Sequence, residues 1–298
     1  MKTFIQFIKL IRIHHWSKNL LIFIPLLVSP EIINLYSWQT LMIAFFAFSF
    51  CASTTYIIND ILDKSNDRNH PRKKNRPIAS AFFNIYEGVF FAILMASISI
   101  YLASYLNTIF CFTLFLYFIS AQIYSIKLKK MHIIDCIALS ILYIMRLMCG
   151  AVAVNLSVSF WLLSFSLFFF FSIALLKRYS ELANRASDSK LMFGRGYNVS
   201  DLPLIANLGI PSALLSILVI GLYLNDEKIH SLYQIPNLLF LLLLTSLVWV
   251  CSVWSKALKG IEIHDPISFA LKDLTSLVLF ILSVGIFIIA RFGMTLVQ

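Results

Sequence analysis

The sequence predicts an all-α, polytopic membrane protein with nine transmembrane helices. Three observations carry this. Of its 298 residues, 60% are hydrophobic and 13% charged, against roughly 25% charged in soluble domains. The apolar residues gather into runs long enough to cross a bilayer, which takes about 20 residues at 1.5 Å each. The charges fall between those runs, and the basic ones keep to alternate loops. No soluble domain, internal repeat or low-complexity tract interrupts the pattern, so residues 1–298 read as one transmembrane domain.

The elements follow in order. Over residues 1–18, Phe4, Ile5, Ile8 and Ile11 share one helical stripe with Lys2, Lys9 and Arg12 around it, which suits a short interfacial helix. Arg12, His14, His15 and Lys18 interrupt the apolar character and no small-residue cleavage site follows, so the N-terminus is read as mature. Nine spans come next, at 19–35, 38–58, 83–106, 108–126, 133–154, 160–176, 202–224, 236–254 and 275–292. The first is short and contains Pro25, which favours a kink.

The loops test the orientation. With the N-terminus in the cytoplasm, the cytoplasmic Lys and Arg number 4 before the first span, then 6, 3, 5 and 3 in loops 59–82, 127–132, 177–201 and 255–274. Only Arg146, Lys228 and Arg291 fall elsewhere among the 24. This bias supports an odd number of spans and puts the loops after spans 2, 4, 6 and 8 on the cytoplasmic face. The net charge of +10 is thereby explained by orientation, and no nucleic acid is expected as a partner. The five cysteines, at 51, 111, 136, 149 and 251, sit in or beside apolar runs. With no CxxC and no zinc spacing, they read as packed apolar residues rather than a disulfide framework.

The densest charge lies at 59–80, the Asp-rich part of loop 59–82. Asp60, Asp63 and Asp67 are spaced i, i+3, i+7, so on a helix they share one face with Asn59 at its edge. Three carboxylates on one face repel unless a cation joins them. Oxygen ligands suit Mg²⁺, which binds through one or two carboxylates and substrate phosphates. Arg68, His70, Arg72, Lys73, Lys74 and Arg76 follow at once and suit a polyanion. The order, acidic face and then basic loop, suggests a metal–pyrophosphate site. The basic residues taken alone also satisfy the orientation rule.

Other polar residues gather on the same face. Tyr124 and Lys129 flank the end of span 4; Lys177, Arg178 and Glu181 open the loop after span 6. Lys129 and Lys130 suit phosphate contact, Lys127 suits membrane anchoring, and Glu181 is placed for a helix-face ion pair with Lys177 or Arg178. Asp135 and Arg146 lie within span 5, where an ionisable group costs roughly 2.5–3.5 kcal/mol and so faces a cavity or a partner. Eleven residues apart, they share a face but stand about 16 Å apart by helical rise. They are expected to line one polar cavity. No Walker A loop, GxGxxG or GxSxG is present.

These motifs give the chain a family resemblance. Asn59-Asp60-x-x-Asp63-x-x-x-Asp67 resembles the NDxxDxxxD motif of the UbiA prenyltransferase superfamily, and the likeness covers nearly the whole chain. It implies nine helices around a central cavity and a magnesium-dependent transferase. One branch is more similar, the decaprenyl-phosphate phosphoribosyltransferases. The likeness lies in Arg12-x-x-His15-Trp16-x-Lys18-Asn19, in His70-Pro71-x-Lys73-x-x-Arg76-Pro77-Ile78-Ala79-Ser80, and in Tyr124-Ser125-x-x-Leu128-Lys129. Asp135, Arg146, Lys177-Arg178-x-x-Glu181-Leu182 and Asp265-Pro266 with Asp273 fit it too. The chain departs from that branch at Ala81, where glycine is usual. It departs from the wider superfamily in lacking a second DxxxD cluster after span 6.

The resemblance implies 5-phosphoribosyl diphosphate as donor, a polyprenyl phosphate as acceptor, the bacterial inner membrane as location and cell-envelope polysaccharide synthesis as setting. It implies that Asp60, Asp63 and Asp67 hold Mg²⁺, with Asn59 as ligand or support. Lys73 and Arg76 stabilise the departing pyrophosphate, and Arg68 is a further expected substrate contact. Lys177 with Arg178, and Lys129, divide the sugar 5-phosphate and the lipid phosphate between them, in either assignment. Tyr124, Asp135, Arg146 and Glu181 complete the expected substrate contacts. Two other readings stay open: an aromatic prenyltransferase using a prenyl diphosphate at the same aspartates, and a transporter or scaffold.

Overall fold

The computed structural model describes residues 2–69, 73–184, 196–226, 232–263 and 266–293. His70, Arg72, Arg185, Lys190, Arg195, Lys228, His264 and Asp265 lie outside the described residues. Among those described, every regular element is helical. They are α1 (Lys2–Ile11), α2 (Ile24–Leu27), α3 (Leu35–Leu62), α4 (Lys64–Arg68), α5 (Ile85–Ala103), α6 (Thr108–Ile126), α7 (Ile134–Ala153), α8 (Phe160–Ala183), α9 (Leu202–Leu224), α10 (Phe240–Leu258), α11 (Pro266–Ala270) and α12 (Leu274–Phe292). Among the described residues, eight stretches, built on α3, α5 to α10 and α12, are long and apolar enough to cross a membrane. The protein is an integral membrane protein.

The first expected span is the exception. Residues 13–33 form a 3-10 run, Ile13–Phe23, then the single turn α2 and a second 3-10 turn, Pro30–Ile33. The segment nevertheless runs the length of α3, antiparallel to it. Ser53 of α3 donates to the Ile11 carbonyl at 2.7 Å and accepts from Trp16 at 3.1 Å. Asn19 donates to Ser49 at 2.9 Å, Phe23 stacks on Trp38 at 5.9 Å, and Trp38 donates to the Ile32 carbonyl at 2.7 Å. A 3-10 helix rises about 2.0 Å per residue. Eleven residues therefore cover about 22 Å, most of the ~30 Å hydrocarbon core. Pro25 and Pro30 each open a new turn, because proline offers no N–H to continue the previous one.

The chain divides into two compact units, residues 1–128 with 142–158, and residues 129–141 with 159–298. In the first, α3 and α5 approach through small residues. Ser99 donates to the Ala47 carbonyl at 2.7 Å, and Ala44, Ala47 and Ala92 are buried. Small side chains let membrane helices pack closely where no hydrophobic force separates helix from lipid. Asn84 and Glu87 form a capping box that starts α5, and Asn107 caps α6.

In the second unit α8 packs along α9, and Trp254 of α10 fills the space left by Gly209 of α9 while donating to Ser172 of α8 at 3.2 Å. Asp273 caps α12 through Ser276 and pairs with Lys256 at 2.6 Å. An apolar cavity of about 400 Å³ lies between α8, α9, α10 and α12, lined by Phe165, Phe169, Trp249 and Phe280 with the hydroxyls of Ser216 and Ser283.

Candidate functional site

In the first unit, the acidic face survives the end of α3. Asp63 ends that helix, its N–H bonding the Asn59 carbonyl at 2.9 Å, and its own carbonyl accepts from the Asp67 N–H at 2.8 Å. The helical register thus carries into α4. Asp60 and Asp67 stay on one side, and one Arg76 nitrogen bridges them at 3.0 and 2.6 Å. Arg12 also donates to Asp60. Both carboxylates are buried, 2% exposed each, and two guanidiniums beside them balance their charge.

One oxygen stands apart. Asp60 Oδ2 is buried and has no hydrogen-bond partner among the described residues. A buried acceptor without a donor is costly unless a cation or a water meets it. Asp63 and Asn59 are half-buried beside it in sequence. Among the described residues no three His, Cys, Asp or Glu side chains form a ready-made metal cage. Mg²⁺ sites generally use one or two carboxylates and take the rest from phosphate and water.

The loop after α4 holds the basic residues differently from one another. Lys73 lies in the short 3-10 turn Lys73–Asn75 and is half-buried, as is Arg76. The Arg68 Nε instead donates to the Ala79 carbonyl at 3.1 Å, which folds the loop back on itself. The expected substrate role of Arg68 therefore competes with a backbone anchor. Tyr124 packs against the apolar core of this unit.

The second unit brings together Asp135, Arg178 and Glu181. Arg178 Nε donates to Asp135 at 2.6 Å, and its Nη1 donates to Glu181. Asp135 and Arg178 are both fully buried. Tyr197 completes the group: its hydroxyl donates to Asp135 and accepts from the Ile133 N–H at 2.8 Å. Burial above all, with Cys136 and Asp135 nearby, pushes the Tyr197 phenol well up, so it remains a donor at neutral pH. Gly196 allows this fit, since a Cβ there would stand 2.9 Å from the Lys130 carbonyl oxygen. Lys129 lies in the turn Leu128–Lys130 and Lys177 on α8, both half-buried.

Asp135 and Arg146 do not share surroundings as expected. Asp135 pairs with Arg178 in the second unit, whereas Arg146 sits in the first, bonded to Asn19 at 3.1 Å, Tyr117 at 3.2 Å and the Leu142 carbonyl at 2.6 Å. The reason is local. Each buried charge finds its own partners within a few ångströms, and three helical turns separate the two. Arg12, Asn19 and Tyr197 were not assigned to the site by sequence reasoning. Arg12 and Asn19 lay within a noted motif; Tyr197 carried no signal, because its partners are more than 60 residues away.

The comparisons with known proteins agree with this fold. The sequence pattern of the "UbiA prenyltransferase family" matches residues 23–260. Protein y4nM of Sinorhizobium fredii is 36% identical over 89% of this chain, and the chain spans about half of that protein, 52%. Nodulation protein NoeC of Azorhizobium caulinodans is 29% identical over 92% of this chain and 90% of its own. Decaprenyl-phosphate phosphoribosyltransferase of Corynebacterium glutamicum is 33% identical over 59% of this chain and 54% of its own. Among solved structures, a UbiA homolog from Archaeoglobus fulgidus bound to DMAPP and Mg²⁺ superposes with a TM-score of 0.71 over 95% of this chain and 99% of its own, at 15% identity. That level of identity speaks for the fold alone. The helical architecture, the Asp60–Asp67 motif and the match over 23–260 lead to one conclusion: the chain belongs to the UbiA prenyltransferase family, a family of membrane-embedded transferases.

Proposed function

We propose that the protein transfers 5-phosphoribose from phosphoribosyl diphosphate to a polyprenyl phosphate in a bacterial inner membrane, with Mg²⁺, releasing pyrophosphate. The observation that carries the choice of donor is the charge after α8's apolar run. A prenyl-diphosphate clamp of the family's usual kind has a second aspartate cluster there; this chain has Lys177, Arg178 and Glu181. A chain with one aspartate motif and cations in place of the second suits substrates with phosphates at both ends. The 33% identity to a phosphoribosyltransferase over 180 residues supports the same reading.

Asp60, Asp63 and Asp67 are the residues that would hold Mg²⁺, which when bound neutralises the diphosphate of the donor. Arg76 and Arg12, within reach of those carboxylates, donate to the diphosphate oxygens, with Lys73 close by in the loop. Lys177 and Lys129 divide the sugar 5-phosphate and the lipid phosphate between them. A lipid-phosphate oxygen forms the bond to the anomeric carbon as that carbon's bond to pyrophosphate breaks. The electron pair leaves with pyrophosphate, and the phosphate nucleophile needs no base. The protein contributes positioning and fixed charge. Arg178, buried against Asp135, Tyr197 and Glu181, orients the end of α8 that carries Lys177. The apolar cavity of the second unit, at about 400 Å³, falls in the range of ligand sites and accepts part of the isoprenoid tail.

The test is a donor assay in detergent with radiolabelled phosphoribosyl diphosphate, a panel of polyprenyl phosphates and lipid extraction. Labelled lipid is the expected product. In the same assay Asp60→Asn, expressed at the normal level, is expected to lower turnover about 10²-fold or more. Turnover confined to a prenyl diphosphate with an aromatic acceptor would replace this reading with a prenyltransferase one.

A further inference from the structure

We infer that Asn19, Arg146 and Gly150 form a seat that holds the 3-10 run Ile13–Phe23 in register along α3, and that this register sets the reach of Arg12 to Asp60. They are positioning residues for the donor end of the site; that last step rests on the metal–diphosphate reading proposed above.

The conformation of the run itself calls for a cause. Runs of 3-10 helix beyond 3–4 residues are uncommon, because their hydrogen bonds are poorer than those of an α-helix. This one extends over 11 residues, so its surroundings must hold it. Gly150 of α7 supplies the first restraint. A Cβ there would lie 1.9 Å from the Ile22 carbonyl oxygen, 2.7 Å from the carbonyl carbon and 2.9 Å from its Cα. These are backbone atoms with no rotamer to escape by, so the run lies directly on the glycine.

Arg146, one turn before Gly150, supplies the second. It is a buried cation in a membrane span with no carboxylate within ion-pair distance among the described residues. Its guanidinium donates to Asn19 Oδ1 at 3.1 Å, Tyr117 at 3.2 Å and the Leu142 carbonyl at 2.6 Å. The rings of Phe48, Tyr117 and Tyr143 surround it at 5.5, 5.3 and 5.1 Å. Asn19 then extends its Nδ2 to Ser49 of α3 at 2.9 Å. One amide thus pins the run to α7 on one side and to α3 on the other.

The consequence appears seven residues earlier. Arg12 takes the left-handed conformation at the head of the run (φ 52°) and its guanidinium reaches Asp60. The stretch from Asn19 to Arg12 spans about 14 Å as a 3-10 helix, at about 2.0 Å per residue. As an α-helix, at about 1.5 Å per residue, it would span about 3.5 Å less. That difference exceeds a hydrogen-bond length's tolerance, so a run released from its seat withdraws Arg12 from Asp60.

Two measurements test this. The first needs no ligand: oxidation of an Arg12→Cys, Asp60→Cys pair, with the cross-linked peptide identified by mass spectrometry. Asn19→Ala is expected to slow this cross-link about tenfold, the scale of one hydrogen bond to a charged group. Gly150→Ala acts in the same direction, and Asn19→Ala stands alone if Gly150→Ala does not fold. An unchanged rate overturns the inference.

The second is the affinity for Mg²⁺-pyrophosphate, read as ligand-induced thermal stabilisation. Asn19→Ala is expected to weaken it about tenfold with Arg12 present and by less than about twofold in an Arg12→Ala chain, since coupled residues are non-additive. An equal loss in both backgrounds, or a slowed cross-link with unchanged affinity, overturns the positioning role. If the parent chain binds no pyrophosphate, the donor reading fails and the cross-link alone decides the register.

Discussion

Ala81 shows how one side chain records a departure. It adopts φ 61°, the left-handed region, in the loop that returns from Arg76 to α5. An L-residue there carries roughly 1–2 kcal/mol of steric cost that glycine does not. Glycine in turn loses about 0.4–1 kcal/mol more entropy on folding than alanine. The steric saving is the larger, so Ala81→Gly is expected to stabilise the chain by roughly 0.5–1 kcal/mol. Thermal unfolding of the two proteins in one detergent checks it; a lower midpoint for the glycine variant would contradict the conformation. The same scale shows what sequence can and cannot reveal about the site. Asp60 and Asp67 were legible because helical spacing alone puts them on one face. Arg12, 48 residues from Asp60, was not, since no periodicity encodes a contact over that distance. Asp135 and Arg178 both stand out as candidate site residues, but nothing in their spacing, 43 residues apart, pairs them.

Elements were legible as apolar runs and much less as conformations. Hydropathy marks 19–35 as a span, yet cannot distinguish an α-helix from a 3-10 run held against Gly150, because the deciding contacts come from α3 and α7. Close contacts of the same kind make Gly209 critical. A Cβ there would lie 2.4 Å from two ring atoms of Trp254, which is itself buried and bonded to Ser172. The ring has little freedom to retreat, so Gly209→Ala is expected to cost about 1–3 kcal/mol, as overpacking does. Its thermal midpoint should fall while Gly285→Ala, which meets nothing within 4 Å, stays close to the parent.

At the head of α12, Asp273 responds to pH. Partial burial pushes its carboxyl up, but the hydrogen bonds from Lys256 and Ser276 and the Lys256 charge outweigh it, leaving it below the ordinary value of 3.8. A carboxylate with a depressed folded pKa contributes stability in full above its unfolded value, and that contribution is lost as pH falls through the folded one. The cap of α12 should therefore weaken below about pH 4. Stability measured between pH 6 and 3 should fall less steeply for Asp273→Asn, which keeps an acceptor for Ser276 but has no proton to gain.

For the whole molecule, the arrangement of charge gives orientation where hydropathy gives only the number of runs. Along the chain the basic residues cluster after the apolar runs of α3, α6, α8 and α10. Among the described residues, counting the 3-10 run as a crossing gives the odd number that this asymmetry predicts. Had residues 13–33 turned back instead, Arg12 and Asp60 would not meet at one end of α3 while Ile32 and Trp38 meet at the other. The crossing thus makes the N-terminal segment and the Asp60 loop share a face, which the positive-inside rule predicts to be the cytoplasmic one. Phosphoribosyl diphosphate is too highly charged to enter the bilayer core, so the proposed chemistry requires Asp60 to face the aqueous side that supplies the donor. Ser65, exposed beside the aspartates, and Ser104, exposed at the end of α5, probe the two faces separately. A membrane-impermeant maleimide should label Ser104→Cys in spheroplasts and leave Ser65→Cys unlabelled until the membrane is inverted. The reverse pattern would place Asp60 and Asp67 away from any cytoplasmic donor and remove the phosphoribosyl reading, whatever the aspartate geometry.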